Sequence, residues 1–217
     1  MSHETPGAPA PATPNAIRIS TSTALVLLLF TLAFTALMAV TYRLTRSTIE
    51  ANALKAKMDL IGTVLPPSLY DNDLLKDTVT LPGADGDVLA YRARHAGKVE
   101  AVVYQVTGYG YSGAILCVMG VSREGRILGV RVIKHAETPG LGDKIETSKS
   151  DWVHSFEGKW LGDPPADKWA VKKDDGVFDQ FAGATITPRG VVKAVKGGME
   201  FFAANKAQLL DETGVAK

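Results

Sequence analysis

A long uncharged stretch near the N-terminus limits what this chain can be. Residues 19–42 contain no formal charge and centre on ALVLLLFTLAFTALMAV. About 20 residues of apolar helix suffice to cross the hydrocarbon core of a bilayer. The stretch is longer than the apolar core of a cleaved signal peptide, and a Pro/Ala-rich arm precedes it instead of a short basic segment. The sequence therefore predicts an uncleaved transmembrane anchor, with a cleaved signal peptide as the alternative.

The rest of the chain divides around this anchor. Residues 1–16 hold four prolines and few large apolar groups, which predicts a disordered tail. We expect the transmembrane helix over residues 17–43 and a juxtamembrane helix over residues 44–66, where apolar residues recur at helical spacing until Pro66 and Pro67. Residues 67–217 then form one water-soluble domain.

The pattern of this domain predicts an α+β fold, with an antiparallel sheet flanked by helices. Four runs rich in β-branched and aromatic residues are separated by turn signals and read as a strand meander: residues 88–94, 99–106, 114–121 and 127–133. We expect a helix carrying Ile145, Trp152 and Phe156 in the core, then a hairpin that turns at residues 174–176.

The last predicted helix starts after Thr187. This residue is a suitable N-cap, and Pro188 is favoured in a first helical turn. Val191, Val195, Met199 and Phe202 would share its buried face.

Composition excludes several functions. With 24 Lys plus Arg against 23 Asp plus Glu, the formal charge of +1 gives no basic face for nucleic acid. The single cysteine, Cys117, excludes an internal disulfide, a cysteine-based metal site and an iron–sulfur cluster. No nucleotide-binding glycine fingerprint follows a strand, so we do not expect NADH to react at this chain. We also expect no metal site.

Two short motifs carry the chemistry. DQFAGATITPR, residues 179–189, places Thr185 beside small residues just before the predicted helix start, where free N–H groups and the helix dipole favour an anion such as a phosphate. KHAETPGLGDKIE, residues 134–146, is a glycine-rich loop that presents backbone groups and Leu141 to something flat. Taken singly, each is also consistent with an ordinary capped turn.

Together the two motifs resemble a known family. HAETPGLGDKI followed by DQFAGATIT is similar to the domain that binds flavin mononucleotide (FMN) through a phosphoester to a threonine. With one N-terminal span and a GYGYSG turn, the chain resembles the G-subunit family of Rnf ion-translocating electron-transport complexes. The related C subunit of the sodium-translocating NADH:quinone oxidoreductase shares this domain. The resemblance covers roughly residues 20–205.

The resemblance implies which residues hold the flavin. Thr185 would carry the covalent FMN, Asp179 is the acidic residue six positions before it, and Thr187 would be a neighbour and cap. One departure is Ala182, which stands where the family usually has serine or threonine. The implied cofactor-binding set is Thr185, Asp179, Gly183, Ala184, Thr187, His135, Glu137, Thr138, Leu141 and Gly142. The resemblance implies that Glu137, Thr138, Leu141 and Gly142 contact the flavin ring. His135 is also consistent with a purely structural role at the end of a strand.

The resemblance further implies a role and partners. The chain would relay electrons inside a complex that couples NADH and ferredoxin redox chemistry to ion translocation, with no independent substrate turnover. Its partners would be the other subunits, membrane lipid and a flavin transferase that uses FAD as donor. The flavin domain would face the periplasm at the bacterial inner membrane, although Arg43, Arg46, Lys55 and Lys57 follow the span and Arg18 alone precedes it.

Two alternatives remain open on the sequence. The first is the flavin subunit of the sodium-translocating quinone reductase, which its co-purifying subunits would distinguish. The second is a membrane-tethered binding module without flavin, in which both motifs are only turns, and Ala182 is the feature that favours it.

Overall fold

The computed structural model describes residues 14–212, with side-chain exposure from residue 18 onward. The prediction of a disordered tail falls mainly on residues 1–13, outside the described residues, whereas residues 14–16 begin the first helix. The chain divides into two compact units between Leu54 and Lys55. The main elements are helix α1 (Pro14–Gly62), strands β1 (Thr78–Gly83), β2 (Gly86–His95), β3 (Lys98–Tyr109), β4 (Ala114–Ser122) and β5 (Ile127–Lys134), and helix α2 (Ile186–Leu209).

Helix α1 has the properties of a membrane anchor. The stretch Arg18–Gly62 is long and apolar enough to cross a membrane, and its large apolar side chains from Ile19 to Leu54 are exposed. Threonine hydroxyls inside it donate back to helix carbonyls, as from Thr31 to Leu27 O at 2.8 Å and from Thr41 to Leu37 O at 2.9 Å. These bonds satisfy the threonine hydroxyls, for which the lipid interior offers no hydrogen-bond partner. The structure gives one continuous helix that ends at Gly62, four residues before the predicted juxtamembrane end.

The second unit contains a five-stranded antiparallel sheet with the strand order β1-β2-β3-β4-β5. The predicted meander is therefore confirmed, and the sheet also has an edge strand, β1, that the sequence analysis did not identify. β1 ends in Pro82 and Gly83, which weaken a strand signal but are tolerated at a sheet edge.

The two faces of the sheet pack against different segments. Val102 and Tyr104 of β3 face the main core, which helix α2 covers together with residues 145–181. Ala101 and Val103 face the opposite side, where Ile61, Val64, Leu65 and Leu74 form a smaller cluster. This alternation along β3 is the period-2 pattern of a strand buried on both faces.

Two sequence predictions for residues 143–178 are wrong. The expected helix is instead a pair of short 3-10 helices, Asp143–Ile145 and Trp152–Phe156. Ser150 explains the interruption, since its hydroxyl donates to Lys144 O at 2.6 Å and accepts from Trp152 N at 3.2 Å, in competition with helical bonding. Trp152 and Phe156 nevertheless pack with the core, as expected.

The expected hairpin at residues 174–176 is also absent. A 3-10 helix occupies Lys172–Asp174, and Val171 and Phe178 form an isolated parallel bridge. Phe178 N donates to Ala170 O at 3.2 Å while Lys172 N donates to Phe178 O at 2.7 Å, which is a parallel bonding pattern. The chain therefore loops back onto itself here without forming two antiparallel strands.

Candidate functional site

The loop after β5 is anchored by His135. Its Nδ1 accepts from Glu137 N at 3.0 Å, so the neutral imidazole carries its proton on Nε2, which lies 2.8 Å from Glu146 Oε1. The hydrogen bond from His135, with a second from Ser148, lowers the pKa of Glu146. Because both ring nitrogens are hydrogen-bonded, the imidazole connects the backbone of Glu137 to the side chain of Glu146 and holds the loop in place.

The Pro-Gly-Leu-Gly segment folds into a tight turn. Leu141 N and Gly142 N both donate to Thr138 O at 3.1 Å, and Asp143 Oδ1 accepts from Gly140 N at 2.8 Å. Asp143 is buried, and its hydrogen bond from Gly140 N holds the turn in place. The Leu141 side chain, in contrast, is 45% exposed. The turn thus presents one apolar side chain at the surface, as the sequence predicts.

Glu137 joins this loop to two other segments. Its Oε1 accepts from Ser112 N at 2.9 Å, in the turn between β3 and β4, and its Oε2 accepts from the Thr187 hydroxyl in the first turn of α2. Glu137 is only 6% exposed. We call the contact of Ser112, Glu137 and Thr187 the Glu137 junction.

Glycines close both sides of the junction. A Cβ at Gly110 would lie 2.5 Å from Glu137 Oε1, and one at Gly142 would lie 2.7 Å from Oε2 and 2.9 Å from Thr187 Oγ1. No side chain fits at either position without displacing the carboxylate. The glycines of GYGYSG and PGLG therefore allow three segments to meet at one buried carboxylate.

The second motif is pinned before helix α2 begins. Trp152 Nε1 donates to Asp179 O at 2.8 Å, and the Asp179 side chain, which is exposed, lies 2.5 Å from Lys172 Nζ. Phe181 packs edge-on against Trp152 with the ring centroids 5.2 Å apart. Gly183 has φ of +79°, a left-handed conformation that suits glycine. The backbone on the N-terminal side of α2 is thereby held in place.

The first turn of α2 differs from the sequence prediction. The N-cap residue is Thr185, not Thr187, and its side chain makes no capping hydrogen bond. Thr187 lies inside the helix and is fully buried, and its hydroxyl donates a hydrogen bond to Glu137. Thr185 is half-buried, so its hydroxyl is the one available beside the free N–H groups of the helix start.

The two motifs meet in the fold. Leu141 Cδ2 would lie 3.7 Å from a Cβ at Gly183, and Thr187 contacts Glu137 from 50 positions away in the chain. Ala184 packs partly buried against the main core, while Thr138 is exposed on the Pro-Gly-Leu-Gly turn. The structure thus brings the 135–142 loop and the 183–187 segment together.

Sequence reasoning missed the third segment, residues 108–113. Ser112 contributes through its backbone N–H, which no side-chain pattern can reveal. The glycine spacing of GYGYSG was the available signal, and Tyr111 beside it is 76% exposed.

Comparisons with known proteins identify the family. A family model described as the FMN-binding domain matches residues 110–200, and one described as the RnfG N-terminal region matches residues 15–64. The G subunit of the ion-translocating oxidoreductase complex of Cereibacter sphaeroides is 47% identical over 187 residues, which cover 86% of this chain and 85% of that protein.

The chain belongs to the G-subunit family of ion-translocating oxidoreductase complexes. The Pseudomonas aeruginosa protein of the same name is 49% identical over 86% of this chain and 90% of its own length. These relatives and the two family models confirm the resemblance predicted from the paired motifs. The crystal structure of Shewanella oneidensis NqrC has a TM-score of 0.46 at 25% identity, covering 64% of this chain and 74% of that chain.

The residues present fit an FMN group. A phosphate needs hydrogen-bond donors, and the N-terminus of α2 offers backbone N–H groups and the positive end of the helix dipole. Thr185 supplies a hydroxyl without a capping bond at this point, and Leu141 offers an exposed apolar surface for a planar ring. Arg189, one turn further along α2, is held by Asp174 in a bidentate pair at 2.5 Å.

Proposed function

We propose that this chain is a membrane-anchored electron relay that carries FMN on Thr185 within an ion-translocating oxidoreductase complex. The proposal rests on the different burial and hydrogen bonding of two neighbouring threonines. Thr187 is buried and bonded to Glu137, whereas Thr185 caps α2 with a hydroxyl that makes no capping bond. When bound, the flavin supplies the capacity to accept and release electrons, while the protein determines its position and surroundings.

Attachment would use the Thr185 hydroxyl as nucleophile. A separate transferase would present FAD, and Thr185 Oγ would attack the phosphorus on the flavin side of the pyrophosphate. The new O–P bond would replace the pyrophosphate bond, AMP would leave, and the hydroxyl proton would pass to a base of the transferase. The phosphodiester keeps one negative charge, which the start of α2 stabilises by about 0.3–1 kcal/mol.

The chain's own residues would orient the bound group. We propose that Leu141, Thr138 and the Gly142 backbone lie against the ring, since Leu141 lies beside Gly183 and the N–H groups of Leu141 and Gly142 both donate to Thr138 O in the same turn. Gly183 and Ala184 would let the phosphate approach the helix start closely. Asp179 and the internally bonded His135 would shape the segments that hold these contacts.

The relay would work only inside the larger assembly. No independent substrate turnover is expected, because electrons would arrive from and leave to other subunits of the translocase. The α1 span has no charged residue between positions 19 and 42, so we do not assign it an ion path. Covalent retention suits a carrier outside the cytoplasm, where a dissociated flavin is not readily replaced.

We propose that the flavin domain faces the periplasm at the inner membrane. Assembly with polytopic partners would override the basic residues that follow the span. A reporter fused after Lys217 tests this orientation. Activity of a periplasm-dependent reporter is expected, and activity confined to a cytoplasm-dependent reporter would contradict it.

The mass of the full chain purified from its native membrane tests the attachment. We expect an added mass of FMN minus water on the peptide that contains Thr185, and ultraviolet-excited fluorescence on a denaturing gel. Thr185→Val should abolish both signals, whereas Thr187→Val, which removes the neighbouring hydroxyl, should leave any residual adduct on Thr185.

Co-purifying subunits and the unmodified mass separate the alternatives. Subunits of a sodium-translocating quinone reductase would favour that complex. An unmodified chain from cells that contain the transferase would instead favour a flavin-free binding module, with Ala182 as its sequence basis.

A further inference from the structure

We infer that Glu137 is the residue that positions the acceptor threonine, and that it acts through Thr187 without contacting the flavin ring. The inference rests on the proposed function and deepens it. It assigns the Glu137 carboxylate to the selection of Thr185 over Thr187 as the site of attachment.

The surroundings of the carboxylate leave no place for a ring contact. Each oxygen already has a protein donor, Ser112 N for Oε1 and the Thr187 hydroxyl for Oε2. Gly110 and Gly142 lie against the same two oxygens so closely that even a methyl group at either position would overlap them. A carboxylate enclosed on both sides and 6% exposed contacts the protein interior, not a surface ligand.

Helix geometry turns this contact into control of Thr185. Successive residues of an α-helix are about 100° apart around the axis, so positions 185 and 187 differ by about 200°. Holding the Thr187 hydroxyl against Glu137 in the interior therefore directs the Thr185 side chain to the opposite, outer side. The burial of the two residues agrees, since Thr187 is 0% exposed and Thr185 is half-buried.

The junction also makes the Thr187 hydroxyl, the competing nucleophile, inaccessible. The Thr187 hydroxyl is a donor to a carboxylate, and charge-assisted bonds of this kind are about twice as strong as neutral ones. The backbone of Glu137 is also held in place, because its N–H donates to His135 Nδ1 at 3.0 Å and His135 Nε2 lies 2.8 Å from Glu146 Oε1. The fixed carboxylate thus keeps the Thr187 hydroxyl buried, at 0% exposure and out of reach of a transferase, and leaves the Thr185 hydroxyl accessible.

Two pairs of variants test the inference on the full chain in detergent. Glu137→Ala removes both hydrogen bonds. Glu137→Gln can keep both, since its oxygen accepts from Ser112 N while its amide N–H donates to the Thr187 hydroxyl. Thr187→Val removes the hydroxyl at nearly constant volume, and Thr187→Ser is its matched control that keeps it.

The first readout is the amount and the position of the adduct. We expect Glu137→Ala and Thr187→Val to lower the initial rate of flavin attachment at Thr185 by about tenfold or more, the ratio that loss of one buried hydrogen-bond partner implies. Glu137→Gln and Thr187→Ser should restore most of the rate. Adduct on Thr187 in Glu137→Ala, absent from the wild type, would support the role in selection.

The second readout separates positioning from ring contact. If Glu137 only positions the helix, flavinylated Glu137→Gln should keep the wild-type midpoint potential. A full level of adduct in Glu137→Gln with a shifted potential would overturn the inference, because the lost charge would then act on the ring. Wild-type attachment rates in both Glu137→Ala and Thr187→Val would overturn it as well.

The third readout needs no flavin. In chains made without transferase, amide exchange at Ser112 and at Arg189, whose N–H donates to Thr185 O at 3.3 Å, should rise by about tenfold in Glu137→Ala but not in Glu137→Gln. Unchanged exchange would contradict the inference. A wild-type chain that never acquires flavin would defeat the proposed function, and this exchange comparison would still test the junction. If Glu137→Ala fails to fold, the Thr187 pair decides.

Discussion

Helix α2, which begins directly after Thr185, contains two adjacent glycines whose replacement by alanine should have opposite effects on stability. A Cβ at Gly197 would meet nothing within 4 Å, because this position faces outward. A Cβ at Gly198 would lie 2.5 Å from Met119 Sδ and 2.7 Å from Val106 Cγ1, both on the sheet below. Met119 is fully buried and cannot move away freely.

The magnitudes follow from these contacts. Each glycine-to-alanine change in a helix interior gains about 0.5–1 kcal/mol of helix stability. Gly197→Ala should therefore raise the free energy of unfolding by that amount. Gly198→Ala has the same gain but adds a methyl group to a packed core, which costs about 1–3 kcal/mol. The propensity gain cancels in the comparison, so Gly198→Ala should be less stable than Gly197→Ala by about 1–3 kcal/mol.

Tryptophan fluorescence is a suitable assay for this pair. All three tryptophans lie at residues 152, 160 and 169, so the signal follows the soluble domain and not the span. Each kcal/mol should shift the unfolding midpoint by about 2–4 °C in a domain of this size. Val106→Ala removes one of the overlapping atoms and should reduce the cost of Gly198→Ala in a double-mutant cycle. Equal midpoints for the two alanine variants would refute the reasoning.

Three further outcomes are expected from the contacts described. Burial raises the pKa of the Cys117 thiol to about 12, so alkylation at pH 8 should require unfolding, and rapid labelling of the folded chain would contradict this. The hydrogen bond from the Arg189 guanidinium lowers the pKa of Asp174 from 3.8. The ion pair therefore stabilises the fold above pH 3.8, and this stabilisation is lost as the pH falls through the lowered pKa of the folded state. Arg189→Gln should return the pKa of Asp174, measured by NMR titration, towards 3.8. Trp152→Phe deletes the bond to Asp179 O and should raise amide exchange in residues 179–185 by about tenfold, whereas unchanged exchange would show that the ring packing alone holds the segment.

The fold was predictable where local pattern and tertiary packing agree. Four of the five strands and the buried face of α2, with Val191, Val195, Met199 and Phe202, follow from period-2 and period-3.6 patterns and are confirmed. The segment 143–178 was not predictable in this way, because its bonds run from side chains to nearby backbone groups. The Gly197-Gly198 pair shows the same limit: propensity alone marks both as weak points of the helix, whereas close contact with the sheet explains Gly198.

The candidate site was predictable as a pair of motifs but not as an arrangement. Capping preference favoured Thr187 at the helix start, and locally it is as suitable as Thr185. The residue that distinguishes their surroundings is Glu137, 50 positions before Thr187, and a single sequence does not show that pairing. The coincidence of ETPGLG and GATIT has a physical basis in this contact, since the first motif supplies the buried carboxylate and the second supplies the hydroxyl that it holds. Each motif is an ordinary turn by itself, whereas at the Glu137 junction Thr187 is fully buried and Thr185, two residues earlier, remains half-buried.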